Sequence, residues 1–229
     1  VYKRQVFYKD NTGRHYPDLR LSVDTQENYD FVHPIVENLY VRKGFGFTIH
    51  DVIRISKKPR IVLFANGKLG LMISNFLKEN NLGVSLLVLH PDNESSFKKE
   101  IINCVNISQS QIINHTDIEK IGLSFFQKNE FDICLSIWSS YIFKSDLINS
   151  FPLGVYNLHN SLLPSLRGSG ANIWAIKKNI PSGITLHRIT PSIDLGPIIE
   201  QNKISVSMED TGYTLLEKQY LSLIHISEP

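Results

Sequence analysis

Between residues 60 and 137 the chain alternates short, continuous apolar runs with stretches whose apolar positions recur every three or four residues. Arg60-Ile-Val-Leu-Phe-Ala65, Val84–Leu89 and Phe131–Ile137 are the continuous runs; Asn66-Gly67 ends the first and His90-Pro91 the second. A strand buried on both faces reads this way, because neither face alternates toward water. Leu69–Glu79 and Ile118–Phe126 carry helical periodicity. Strand and helix at this spacing predict βαβ units, hence an α/β, Rossmann-like domain with a mostly parallel sheet and helices on both faces. Further on, Ala171–Lys178 predicts an amphipathic helix with Ile173, Trp174 and Ile176 turned inward. Ile184–Ile189 and Ile198–Val206 read as strands, and Gly183 and Gly196-Pro197 as bends. A helix begins at Asp210 and is expected to be interrupted after Tyr220. Upstream, Phe31, Ile35, Val36 and Leu39 share one side of a small helical fragment, Thr48 is placed to cap a second helix, and Ser56-Lys-Lys-Pro59 reads as a linker.

Composition narrows the classes. The chain has 229 residues, 42% hydrophobic, with net charge +2, enough for one full domain and a fragment of another. No basic stripe stands out, so electrostatics do not imply nucleic acid. No apolar run approaches the length of a membrane span and no signal peptide opens the chain, so the expectation is a cytoplasmic protein away from membranes. Cys104 and Cys134 lie in apolar surroundings and read as reduced core thiols. The eight histidines are scattered singly, so no metal site is expected. Gly67-x-x-Gly70 lacks the third glycine and the acidic residue of a dinucleotide fingerprint; it reads as room for a tight strand-to-helix turn. Val1-Tyr-Lys-Arg-Gln5 and Leu221–Pro229 resemble translated cloning or sequencing adaptor, which would leave the natural chain cut at both ends.

The chemistry concentrates in Val155-Tyr-Asn-Leu-His-Asn-Ser-Leu-Leu-Pro-Ser-Leu-Arg-Gly-Ser-Gly170. Asn157 and His159 are two apart, and on an extended segment such residues point the same way. That puts an amide and an imidazole together at the carboxyl end of a short strand, where open α/β sheets bind ligands. Asn157-Leu-His159, Ser161-Leu-Leu-Pro164 and Arg167-Gly168, followed by Asp194-Leu-Gly-Pro197, resemble the signature of the formyltransferases that use 10-formyltetrahydrofolate. The resemblance spans roughly residues 60 to 220, in order, and sets the domain at 59–220. It implies that Asn157, His159 and Asp194 are catalytic. It also implies that Ser140, Tyr141 and Ile142 bind the pterin through their backbone, and that Thr190, Pro191 and Ile193 border the same pocket. Trp138 and Phe143 serve there or simply pack the domain. Arg167 touches a substrate phosphate or carboxylate or braces the loop, and Ser161 is carried over as a substrate contact; His187 reads as structural.

Formyl transfer to an amine is acyl transfer, with an oxyanion to stabilise and a proton to move. Asn157 supplies an uncharged donor to the oxyanion. His159 can take the amine proton, or donate when protonated. Asp194 can orient that ring or a bridging water. No covalent intermediate and no metal is required.

Residues 6–58 resemble the C-terminal end of a sugar cytidylyltransferase. Asp18-Leu-Arg-Leu-Ser-Val-Asp-Thr-Gln-Glu-Asn-Tyr-Asp30 carries that likeness. Asp24 matches a metal-holding position there, or with Thr25 caps a helix. This neighbour points to an activated amino sugar, a small-molecule nucleotide-linked acceptor for surface polysaccharide. Methionyl-tRNA, glycinamide ribonucleotide and an inactive truncated fragment are the alternatives.

Overall fold

The computed structural model describes residues 26–43, 51–52 and 59–226. The chain divides between Pro59 and Arg60 into two units. In the first, helix α1 (Gln26–Lys43) buries Val32, Ile35 and Leu39, three and four apart as one stripe of a helix requires; Val36 beside them is half-buried. Asp24, Thr48 and the linker residues 56–58 lie outside the described residues.

The second unit runs β1 (Ile61–Ala65), α2 (Gly67–Glu79), β2 (Val84–Leu89), α3 (Lys98–Val105), β3 (Ile112–Asn114), α4 (Ile118–Ile121), α5 (Leu123–Lys128), β4 (Ile133–Ile137), α6 (Ser145–Ile148), β5 (Gly154–His159), α7 (Ala171–Lys178), β6 (Ser182–Arg188), β7 (Ile198–Ile204) and α8 (Gly212–Ile226). Its strands form one seven-stranded sheet in the order β3-β2-β1-β4-β5-β6-β7. The first five positions are parallel; β6 and β7 are antiparallel. Successive residues of β1 point to opposite faces and feed two cores. Val62 and Phe64 join Phe126, Phe131, Phe151 and Val155, while Leu63 and Ala65 join Leu69, Leu87, Ile101 and Ile137. The order reverses between β1 and β4, so the carboxyl ends of these strands flank the crevice in which such sheets bind ligands.

Gly67 and Gly70 act through packing. Gly67 has φ +66°, and a Cβ there would lie 2.7 Å from Cζ3 of Trp138. A Cβ on Gly70 would lie 3.2 Å from the Ala65 backbone, so its absence lets α2 settle against β1.

Several expectations are corrected. The helix read across Ile118–Phe126 is two, broken at Gly122 with φ +79°. Short α3 and three-residue β3 carried too little periodicity to be read. Gly183 is no bend: it lies inside β6, where a Cβ would meet the Asn202 carbonyl and Leu162. Helix α7 is turned only partly as expected: Ile176 packs inward, but Ile173 and Trp174 do not. Its buried residues are Ala171 and Ala175, one turn apart, and the small Ala175 lets it lie close to Ile184 and Leu215. Ile173 and Trp174 point outward at 60% and 45% exposure. Helix α8 is not interrupted after Tyr220; it runs to Ile226, and Ser222 accepts a hydrogen bond from Asn202 at 2.7 Å.

Candidate active site

Strand β5 lies between parallel β4 and antiparallel β6, and the second pairing sets His187 directly opposite Asn157. Asn157 Nδ2 stands 3.1 Å from His187 Nε2. An amide NH2 only donates, so the neutral His187 ring accepts there and donates from Nδ1 to the Arg188 carbonyl at 3.1 Å. Asn157 thereby fixes its side chain through one N–H and keeps its second donor.

His159 is nearly buried. Its Nε2 stands 2.9 Å from the Leu166 carbonyl, and its Nδ1 stands 3.6 Å from Asp194 Oδ2. Each nitrogen therefore faces an oxygen, and the protonated ring has an acceptor for both of its N–H groups. The other Asp194 oxygen, Oδ1, stands 3.5 Å from His187 Nε2, and the Gly168 N–H donates to Oδ2 at 2.8 Å. Asp194 thus sits between two imidazoles with only 12% of its side chain exposed. Burial pushes its pKa up. The Gly168 N–H and the nearby His159 oppose that, and the carboxyl is held below the ordinary aspartate range.

The backbone is bent to make this site. Trp138, Leu166 and Asp194 have φ of +54°, +54° and +50°. Asp tolerates the left-handed region; for Trp and Leu it is strained, and such strain gathers where geometry is set for a task. Gly196 lets the Asp194 turn close, since a Cβ there would run into the Arg188 carbonyl.

The structure brings Asn157, His159 and Asp194 together and adds His187, which sequence reasoning read as structural. The missed signal is the antiparallel register: only the pairing of β6 on β5 shows that His187 faces Asn157. Ser161 is placed differently. It is 1% exposed and its hydroxyl donates to the Ser165 carbonyl at 2.7 Å, so it braces the turn. Arg167 is exposed. It lines a groove of about 430 Å³ with Pro164, Leu166, Trp174 and Lys178; the same loop supplies the backbone groups that hold His159 and Asp194. A second groove of about 430 Å³, with Lys98, Ile113 and Asp117 in its wall, lies at β3, and neither groove is lined by any of the four site residues.

Ser140 and Ile142 are exposed, with Tyr141 half-buried between them. The Tyr141 amide donates to Ser139 Oγ at 3.2 Å and the Ser140 amide to His90 Nε2 at 3.4 Å. The carbonyls of this segment and the Ile142 amide remain for a ligand. In the loop after β6, Thr190 Oγ1 donates to the Ser192 carbonyl at 3.2 Å. Pro191 is exposed, and Ile193 is 59% exposed. Among the described residues no group of His, Cys, Asp or Glu is arranged to hold a metal ion, and no helix is long and apolar enough to cross a membrane.

An amide, two imidazoles and a carboxylate therefore meet in one chain of neighbours at the end of β5, beside the point where the sheet order reverses. The family pattern for formyl transferase matches residues 60–221, and the chain belongs to that family. It is similar to the bifunctional polymyxin resistance protein ArnA of Wigglesworthia glossinidia brevipalpis, 27% identical over 176 residues, covering 73% of this chain and 26% of that protein. The chain therefore spans about a quarter of that relative's length. Among solved structures, phosphoribosylglycinamide formyltransferase from Bacillus halodurans superposes with TM-score 0.60 at 21% identity, covering 73% of this chain and 91% of the other. A 4-N formyltransferase from Francisella tularensis superposes with TM-score 0.59 at 24% identity, covering 73% and 65%. At these identities the likeness is one of fold.

Proposed function

We propose that this protein transfers the formyl group of 10-formyltetrahydrofolate to the amine of a nucleotide-linked amino sugar. The observation that carries the reading is the run Asn157–His187–Asp194–His159, whose neighbouring side chains stand 3.1, 3.5 and 3.6 Å apart. The folate supplies a formyl carbon open to attack by an amine. The second Asn157 N–H is the donor for the oxygen of that carbon, positioned in advance by the bond of its sister N–H to His187. His159, oriented by Asp194, takes the proton that leaves the amine and returns it, directly or through water, to the folate nitrogen as the bond between that nitrogen and the formyl carbon breaks. Residues 140–142 and 190–193 hold the pterin, and Arg167 stands at the groove through which an anionic acceptor would reach the amine-binding side.

The amino-sugar acceptor is favoured by the likeness to ArnA and to a 4-N formyltransferase, and by the cytidylyltransferase-like residues 6–58. An acceptor panel decides it. The full chain is incubated with 10-formyltetrahydrofolate and, separately, a nucleotide-linked 4-amino sugar, glycinamide ribonucleotide and methionyl-tRNA, and tetrahydrofolate release is followed. Turnover with the amino sugar alone is the expected result. Turnover with glycinamide ribonucleotide or the tRNA overturns the choice of acceptor, and none with any amine overturns the activity.

A further inference from the structure

His90 ends the loop side of β2 and is 6% exposed, yet formyl transfer as derived above makes no use of it. Its Nε2 faces the Ser140 amide at 3.4 Å, and its Nδ1 stands 4.0 Å from Glu94 Oε2. The ring packs on His115, centroids 4.6 Å apart and 44° tilted. His115 in turn faces the Tyr141 ring at 6.5 Å, and its buried Nδ1 has no hydrogen-bond partner. An amide N–H can only donate, so His90 must present a lone pair at Nε2 and carry its proton on Nδ1, toward Glu94. The contact thus requires the neutral ring. Burial, then the neighbouring His115, push the His90 pKa below the ordinary histidine value; Glu94 opposes them.

Residues 138–142 depend on this contact. The segment opens on Trp138 in the left-handed region, and its other hydrogen bond, Tyr141 to Ser139, lies within the segment itself. The bond to His90 ties it to a different strand of the sheet. We infer that His90 is a positioning residue for the folate: it grips the Ser140 amide and so sets the backbone of residues 138–142 against the pterin. This rests on the formyltransferase reading above. Protonation of Nε2 would set donor against donor and place a cation against His115, with Glu94 the only carboxylate facing the ring among the described residues and Ser140 facing it from the segment after β4. The grip is then released, and folate binding weakens as pH falls.

The test measures binding of 5-formyltetrahydrofolate, a non-transferring folate, by calorimetry on the full chain between pH 8 and pH 5.5, with near-UV circular dichroism to check folding. At pH 8, His90→Leu is expected to bind about fivefold more weakly, the scale of one neutral hydrogen bond. It is also expected to lose the parent's dependence on pH. His90→Gln, whose side-chain carbonyl can accept the same N–H, is expected to match the parent at pH 8 and to hold that affinity at pH 5.5. In turnover, His90→Leu raises KM for the folate and leaves kcat near the parent's. Parental affinity for His90→Leu at pH 8 overturns the inference, as does a parent-like acid loss in His90→Gln. If His90→Leu does not fold, the His90→Gln pH comparison decides alone. A parent that binds no folate at any pH overturns this inference and the formyltransferase reading together; a parent that binds, with both variants unchanged, overturns this inference only.

Discussion

The sheet has two halves built on different principles. In β1, β2 and β4 nearly every residue is apolar, and β1 is buried along its whole length; these strands are held by area removed from water. In β5 and β6 the buried positions include His159, Ser182, Thr185 and His187. There each polar group needs a partner, and the partners are specific. Thr185 Oγ1 donates to the Ser161 carbonyl at 2.6 Å, and accepts from Leu163 N at 3.1 Å and Gln201 Nε2 at 2.8 Å. Burial of a satisfied polar network contributes little net stability and much geometric definition, whereas a broken one is costly. The parallel half therefore supplies stability, and the antiparallel half uses it to hold a site in place.

The contrast is broken most severely in the apolar half. Leu63 is fully buried in one core, and Leu63→Ala is expected to destabilise the protein by about 3–5 kcal/mol, from lost transfer energy and the cavity left behind. Denaturant unfolding measures it, and the folded fraction should keep the parental kcat. In the polar half the signature reverses. Asn157→Ala removes the proposed oxyanion donor and is expected to lower kcat by about 100- to 1,000-fold, with a loss of stability well below that of Leu63→Ala. A large loss of stability with turnover intact would mean that Asn157 is there to hold β6.

Between these lies Thr185→Val, which keeps the shape and removes the hydroxyl. The Leu163 amide loses its acceptor and Gln201 Nε2 loses one of its two, at a cost of about 1–3 kcal/mol. A change below about 0.5 kcal/mol would show that the network can relax and that the antiparallel half is less constrained than its hydrogen bonds imply. Asp194→Asn sharpens the comparison by pH. The folded carboxyl titrates below its ordinary range, so its contribution is present above the unfolded value, near pH 4, and is lost as pH falls through the folded value. The stability gap between parent and variant should therefore be constant at neutral pH and close on acidification. A gap that widens toward acid would put the shift in the opposite direction.

The same division explains what was legible in the chain. β1 and β2 declared themselves because a strand buried on both faces has to be continuously apolar. Asn157, His159 and Asp194 were legible because their segments carry a family's motif. His187 was not, because its role depends on the β5–β6 register, a non-local fact. Ser161 sits within the motif, yet its side chain serves the turn; a motif names a segment without separating residues that touch a ligand from those that shape the chain. α3 and β3 were too short for periodicity to rise above the background.

The smallest effect tests α7, where the reading of the pattern holds only in part. Apolar content alone favours burying Ile173, Trp174 and Ile176, the larger side chains. The fold instead buries Ala171 and Ala175 fully and Ile176 in part, with Ala175 letting the helix lie close to Ile184 and Leu215. Trp174 is left outside, with the Lys177 and Lys178 ammonium groups 5.0 Å and 5.4 Å from its ring. Such contacts contribute about 0.5–1 kcal/mol at exposed sites, a further reason for the outward face to be tolerated. Ile173→Ala at an exposed position should then change stability by no more than about 0.5 kcal/mol. Ala175→Leu, which adds bulk to the inner face, should destabilise by about 1–3 kcal/mol. Thermal unfolding of the pair decides the orientation: if Ile173→Ala proves the more damaging, the helix is turned as its apolar pattern alone suggests, and the small-residue contact with β6 and α8 does not hold it.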